Sequence, residues 1–407
     1  MKVLIIGHGC NPNTSSEPGL TFNWAYSMAG YCSVDLIAQP QNRAETERYL
    51  AENPRPNLTV HWVDVDSPLD RWDPKRGDRG IRFHYLLWLR NVSKYAAALH
   101  AERGFDLIHH VGWGTVSVPS PFWKIGPPLI WGPLGGGQTT PNGFLAIFGW
   151  LGWRESLRTF RVRLLPLTSG FRLAVARSAV LLATNRETQE VLSSAHATLV
   201  KMMFDNGLRK ETLPAQVERL SVPHELRLLW AGKLSRWKGL DLALGAMKGM
   251  RERGANVHLT VAGDGPLRSG FEASVKRAGL EDVVAFRGRV PWHEMAKEFT
   301  RADVFLFTSL RDSSGSVVLE AASYGLPCIT LDLGGVGTFV STSAAIKIKP
   351  TTLAETVGAI RDAIVRLRDD VLLRQSMGVA ARRFSESMLW EAQAATMWEI
   401  YQNTAHA

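Results

Sequence analysis

Cysteine is scarce in this 407-residue chain: Cys10, Cys32 and Cys328 make three, an odd number without metal-like spacing. That excludes a disulfide scaffold or cysteine-ligated metal fold and argues for a reducing compartment. Long apolar runs are also missing. No stretch of about eighteen clean apolar residues occurs, so no membrane-spanning helix is expected. The opening Met1–Gly9 is too short for a signal-peptide core and reads better as a β-strand. We therefore expect a cytoplasmic protein. Low-complexity tracts and short-period repeats are absent. Acidic residues are outnumbered 38 to 47 by Lys and Arg, a formal charge of +9. Such a balance favours anionic partners: sugar nucleotides, nucleic acid or an anionic membrane face. With 45% hydrophobic and 21% charged residues, the chain is an ordinary globular protein long enough for two or three domains.

What is present is a repeated strand–loop–helix style. Val3–Ile6 empties into a Gly/Pro-rich loop, then Leu20–Met28 reads as a helix and Val34–Ala38 as a strand. Leu58–Val63, a helix over Arg82–Ala101, and strands at 106–110, 129–133 and Ala179–Ala183 follow. The second half repeats the style independently. Strands at Arg227–Ala231, Val257–Ala262 and Val283–Arg287 each run into a glycine-containing loop or turn. Such a pattern marks an α/β chain of two Rossmann-like, doubly wound parallel domains with a cleft between them. The boundary is expected near 205–225, giving domains 1–207 and 208–385.

The segment 303–337 is richest in chemistry. It predicts a buried strand, a Ser/Gly loop flanked by Asp312 and Glu320, a helix start, and a second strand ending in glycines. Such a loop can turn its N–H groups toward an anion at the positive end of a helix. A ligand with hydroxyls at both ends and phosphates between, a nucleotide sugar, suits it. Lys233 and Lys238 follow another strand and could reach a diphosphate, although loop lysines are often merely solvated. Gly263-Asp-Gly-Pro266 is read mainly as a turn. His109 and His110 end a strand of the first domain; they either meet a sugar hydroxyl or are satisfied core histidines.

Around 150–164, Arg154, Arg158 and Arg161 recur at i, i+4 and i+7 beside tryptophans and leucines. Such a helix either docks on an anionic membrane surface or packs its apolar residues inward. Nucleic acid is not expected, since no recognisable binding module accompanies these arginines.

Taken in order, these pieces resemble the retaining glycosyltransferases of family four, which have the GT-B fold. The resemblance rests on Gly232-Lys233-Leu234…Lys238-Gly239, Gly263-Asp-Gly-Pro266, Phe286-Arg-Gly288-Arg-Val290, and Asp312…Glu320 followed by Gly325-Leu-Pro327. In the first half, Ser16-Glu17-Pro18-Gly19, Trp131-Gly-Pro-Leu-Gly-Gly-Gly137, Ala183-Thr-Asn185 and Asn206-Gly207 look like one branch of it. The C-terminal Phe384…Trp390…Tyr401 resembles the last helix, expected over 386–407 and crossing back onto the first domain.

The resemblance implies sugar transfer from a nucleotide-diphosphate donor to a carbohydrate or lipid-linked acceptor, with no metal required. Lys233 and Lys238 would hold the diphosphate, Glu320 the ribose, and backbone near Val290 the base. Asp312 and the backbone of Ser314, Gly315, Ser316 and Val317 would contact the transferred sugar. Gly19 would let its loop approach the phosphates. His109 would act in catalysis beside Asp312 and Lys238, with His110 and Glu17 elsewhere in the cleft. Two positions depart from the pattern: Lys233 stands where Arg is usual and Asp312 where Glu is usual. Rival readings are an inactive sugar-nucleotide- or membrane-binding partner, and a sugar-nucleotide epimerase.

Overall fold

The structure, a computed structural model, describes residues 1–14, 17–73, 77, 80–215 and 224–405. The first sheet contains β1 (Lys2–Ile6), β2 (Ser33–Ala38), β3 (Leu58–Trp62), β4 (Leu107–His110), β5 (Leu129–Leu134), β6 (Val180–Ala183) and β7 (Val200–Met202). All pairings are parallel, in the order β3-β2-β1-β4-β5-β6-β7. The second sheet contains β8 (Leu226–Ala231), β9 (Val257–Ala262), β10 (Val284–Gly288), β11 (Val304–Phe307), β12 (Cys328–Leu331) and β13 (Ala345–Ile348). It is also parallel, ordered β10-β9-β8-β11-β12-β13.

Central strands such as Val304–Phe307 are buried at every residue because helices cover both faces, so they read as continuous apolar runs rather than alternations. In each sheet the strand order reverses once, between β1 and β4 and between β8 and β11. Loops leaving the carboxyl ends of those four strands diverge there and leave a crevice, the usual ligand position in such sheets.

The two cores exchange elements in both directions. Helix Trp390–Ala405 buries Trp390, Ala394, Met397, Ile400 and Tyr401, one face at helical spacing, among Trp24, Met28 and Ile130 of the first domain. Conversely, Phe144, Ile147 and Phe148, from the 3-10 segment Asn142–Leu151, join the core cluster around Leu228, Trp230 and Leu240 of the second. That outgoing clasp is absent from the sequence-level division at 207. Residues 216–223 of the expected linker lie outside the described residues. The three cysteines are free and buried. No helix among the described residues is long and apolar enough to cross a membrane.

Candidate functional site

The loops after β8 and β11 are stitched together at the second sheet's reversal. Leu310 donates its N–H to Trp237 O at 2.8 Å, and Thr308 Oγ1 donates to Gly239 O at 2.8 Å. Gly239 sits at φ +67°, and a Cβ there would stand 2.1 Å from Thr308 O, so the close approach requires glycine. The stitching brings Lys238 and Asp312 together: Lys238 Nζ donates to Asp312 Oδ2. Asp312 opens the loop that Gly315, at φ +73°, turns into helix Ser316–Ser323. Ser314 is buried, its hydroxyl 3.4 Å from that of Ser316. Val317 and Glu320 lie on that helix, both partly buried. Lys233 is exposed beyond the end of β8, and Val290 follows β10, packed against the cluster around Phe307.

The first domain contributes a small pocket facing this loop. It is about 170 Å³ and lined by Glu17, Trp24, Val111, Trp113 and Asp205, with Ser313 closing it from the second domain. Glu17 Oε1 accepts the Trp113 N–H at 2.9 Å, and Trp113 holds a left-handed φ of +53°, uncommon for so bulky a residue. Burial pushes the Glu17 carboxyl up to about 7, against the pull of that hydrogen bond. Burial likewise raises Asp205 to about 6; a hydrogen bond from Ser314 opposes the rise and neighbouring Asp312 adds to it. Asp205 Oδ1 is sealed from solvent and meets no hydrogen-bond partner among the described residues. Asp205 falls where the sequence suggests only the domain boundary near 205–225, because the three-residue β7 that delivers it is interrupted by Lys201 and leaves little strand signal.

Two expectations for the first sheet need correction. His109 does not face the cleft. It is fully buried, its Nε2 donating to Gly132 O at 2.7 Å and its Nδ1 2.6 Å from the Tyr401 hydroxyl. The carbonyl can only accept, so Nε2 carries the proton and Nδ1 accepts from Tyr401. Burial lowers its pKa to about 4. His110 is also buried, with Nε2 3.2 Å from the Tyr85 hydroxyl and its ring edge-on to Phe122. Both are core histidines, and this part of the chain reaches the pocket only beyond the strand, at Val111, Trp113 and Gly114. Gly19 has a requirement of its own chain: a Cβ there would lie 1.6 Å from Thr14 O, so the local loop already demands glycine. Ser16, quoted with it, lies outside the described residues.

Residues 216–384 match the family model for glycosyl transferases group 1. The chain as a whole has the GT-B fold. It is 31% identical over 185 residues to a D-inositol 3-phosphate glycosyltransferase of Paenarthrobacter aurescens, covering 44% of each chain. It is 30% identical over 217 residues to a 2-deoxystreptamine glucosyltransferase of Streptomyces kanamyceticus, covering 50% of this chain and 55% of that one. The matches thus span about half the length of these curated relatives. Sucrose-phosphate synthase from Thermosynechococcus elongatus shares the whole fold, with a TM-score of 0.66 at 18% identity over 99% of this chain and 98% of that one. Anabaena HepE in complex with UDP gives 0.62 at 16%, over 99% and 100%.

In this glycosyltransferase fold the two domains are closed on each other through polar contacts at the cleft. Gln138 Nε2 donates to Ser313 Oγ at 3.1 Å, and Asn185 Nδ2 to Ser313 O at 3.1 Å. Glu187 accepts the Gly334 N–H at 2.9 Å, and Arg186 donates to Gly337 O at 3.0 Å. A buried carboxylate, Glu155, joins both sides. It accepts from Thr140 at 2.7 Å and Arg158 at 3.1 Å, and pairs with Arg311 of the second domain at 3.3 Å. Arg158 also donates to Gln138 O at 2.6 Å. This corrects the reading of Arg158 as part of an outward basic patch: Arg154 and Arg161 are exposed, whereas Arg158 is bound into the domain contact.

Proposed function

We propose that the protein is a retaining glycosyltransferase that moves a sugar from a nucleotide-diphosphate donor to a carbohydrate or lipid-linked acceptor. We place it in polysaccharide or glycolipid assembly on the cytoplasmic side of a membrane. The observation that carries the reading is the meeting of Lys238 and Asp312 where the second sheet reverses its order. A cation for the leaving diphosphate and a carboxylate for the transferred sugar stand side by side, at the foot of a helix bearing Glu320. HepE in complex with UDP, on the same fold, is consistent with a nucleotide at such a cleft.

In this scheme the diphosphate takes Lys238 from Asp312, and Lys233 swings in from solvent. Their charge, with the N–H groups opening helix Ser316–Ser323, stabilises the departing phosphate without calling for a metal ion. Asp312, once released, accepts from a hydroxyl of the sugar, and Glu320 accepts from the ribose diol. The bond from the anomeric carbon to the phosphate oxygen breaks as the acceptor oxygen bonds on the same face. The acceptor proton passes to the leaving phosphate oxygen. Glu17 and Asp205 take acceptor hydroxyls in the opposing pocket. Domain contacts through Ser313 keep water out while the donor is activated.

A panel of UDP- and GDP-sugars tests this: one donor should be hydrolysed slowly without acceptor and transferred with it. Asp312→Ala should abolish both. A protein that turns over none of them, or an Asp312→Ala variant as active as the parent, contradicts the proposal.

A further inference from the structure

Helix Gly152–Leu164 is inside out. Trp153, Leu157, Phe160 and Leu164, spaced four, three and four residues apart, form one stripe along the helix, and they are 57, 39, 57 and 37% exposed. The opposite face carries Glu155, Thr159 and Val162, all buried. A surface helix ordinarily turns its apolar stripe to the core. Here the inward face is spoken for by the Glu155 network, so the stripe faces solvent. Trp150 before the helix and Leu167 after it extend the patch, 77 and 72% exposed.

Charge says what covers it. Arg154 and Arg161 flank the stripe on one side and Arg163 on the other, all exposed, with Arg172 and Arg177 exposed on the next helical turns. From 142 to 177 the sequence holds six arginines and a single acid, Glu155, which is buried and paired. The Arg154 guanidinium lies over the Trp153 ring at 5.4 Å, as an interfacial pair would. A second copy of the chain fits poorly, since a self-complementary contact would set these arginines against their own counterparts. A flat anionic surface fits well: apolar side chains enter the acyl boundary while arginines on both flanks reach phosphate.

We propose that this face docks on an anionic lipid bilayer, with Trp153, Leu157, Phe160 and Leu164 inserted and Arg154, Arg161 and Arg163 at the headgroups. The neighbouring segment Asn142–Leu151 is clasped into the second domain's core, and Glu155 pairs with Arg311 beside the cleft. Docking would therefore hold both domains, and the cleft, at the lipid surface.

Co-sedimentation with phosphatidylcholine vesicles, with and without phosphatidylglycerol, tests this without donor or acceptor, so it stands apart from the sugar-transfer chemistry. The protein should sediment with the anionic vesicles only and be released by salt. Trp153→Ser with Phe160→Ser, and separately Arg154→Glu with Arg161→Glu and Arg163→Glu, should each weaken binding about ten-fold or more. Thermal unfolding should match the parent, because these side chains are exposed. No binding by the parent, equal binding to neutral vesicles, or either variant binding as the parent does overturns the proposal. So does a dimer in ultracentrifugation that the Trp153→Ser, Phe160→Ser variant disperses, since a second copy would then own the stripe.

Discussion

His109 and Tyr401 lie 292 residues apart in sequence, yet Nδ1 of one and the hydroxyl of the other are 2.6 Å apart in the buried core of the first domain. The pair fastens the last helix to the strand beside which the first sheet reverses. Tyr401→Phe keeps the ring and leaves a buried ring nitrogen without its donor. The cost should be about 1–3 kcal/mol, read as a lower urea midpoint with an unchanged m-value. An unaltered midpoint would mean that the hydroxyl contributes nothing there.

Glu17 should make stability depend on pH in a direction unusual for a carboxylate. Its pKa in the fold is raised to about 7 from an ordinary 4.5, so the folded state binds the extra proton. The stabilising contribution is complete below about 4.5 and is lost as pH rises through 7. Histidines 8, 109 and 110, lowered to about 3, 4 and 3, act in the opposite sense, losing their contribution as pH falls below the ordinary 6.5. Comparing Glu17→Gln with the parent cancels the histidines. The amide oxygen still accepts the Trp113 N–H, so the variant should melt higher than the parent at pH 8, by about 2 °C or more, and alike at pH 5. A lower melting temperature at pH 8 would contradict the assignment.

The Lys238–Asp312 pair makes a split prediction. If the carboxylate serves the transferred sugar and the lysine the diphosphate, Asp312→Asn should lower turnover by about a hundred-fold or more. Its affinity for the free nucleoside diphosphate should stay the same or tighten, because Lys238 is released to the ligand. Parallel loss of turnover and nucleotide affinity would show that Asp312 only positions Lys238.

Much of this was legible in the sequence because buried parallel strands are written as unbroken apolar runs closed by glycine loops. Asp312, Lys238 and Glu320 could be placed since each sits at a fixed offset from such a run. His109 could not: the run shows that it ends a strand, but the side chain's bonds go to Gly132 and to Tyr401 at the far end of the chain. Asp205 was hidden by β7, too short to announce itself. The outward stripe of helix Gly152–Leu164 was hidden for another reason. Periodicity finds the apolar face of a helix, whereas which face turns inward was decided by Glu155 finding Thr140, Arg158 and Arg311.

The proposed chemistry requires the cleft at the second sheet's reversal to hold a nucleotide-diphosphate sugar through Lys238. Calorimetric titration of UDP, GDP and their sugars into the parent and Lys238→Met tests it most directly. One nucleotide should bind saturably and more weakly at high salt, and Lys238→Met should weaken it about ten-fold or more. Silence across the whole panel, or a Lys238→Met variant that binds as the parent does, would contradict it.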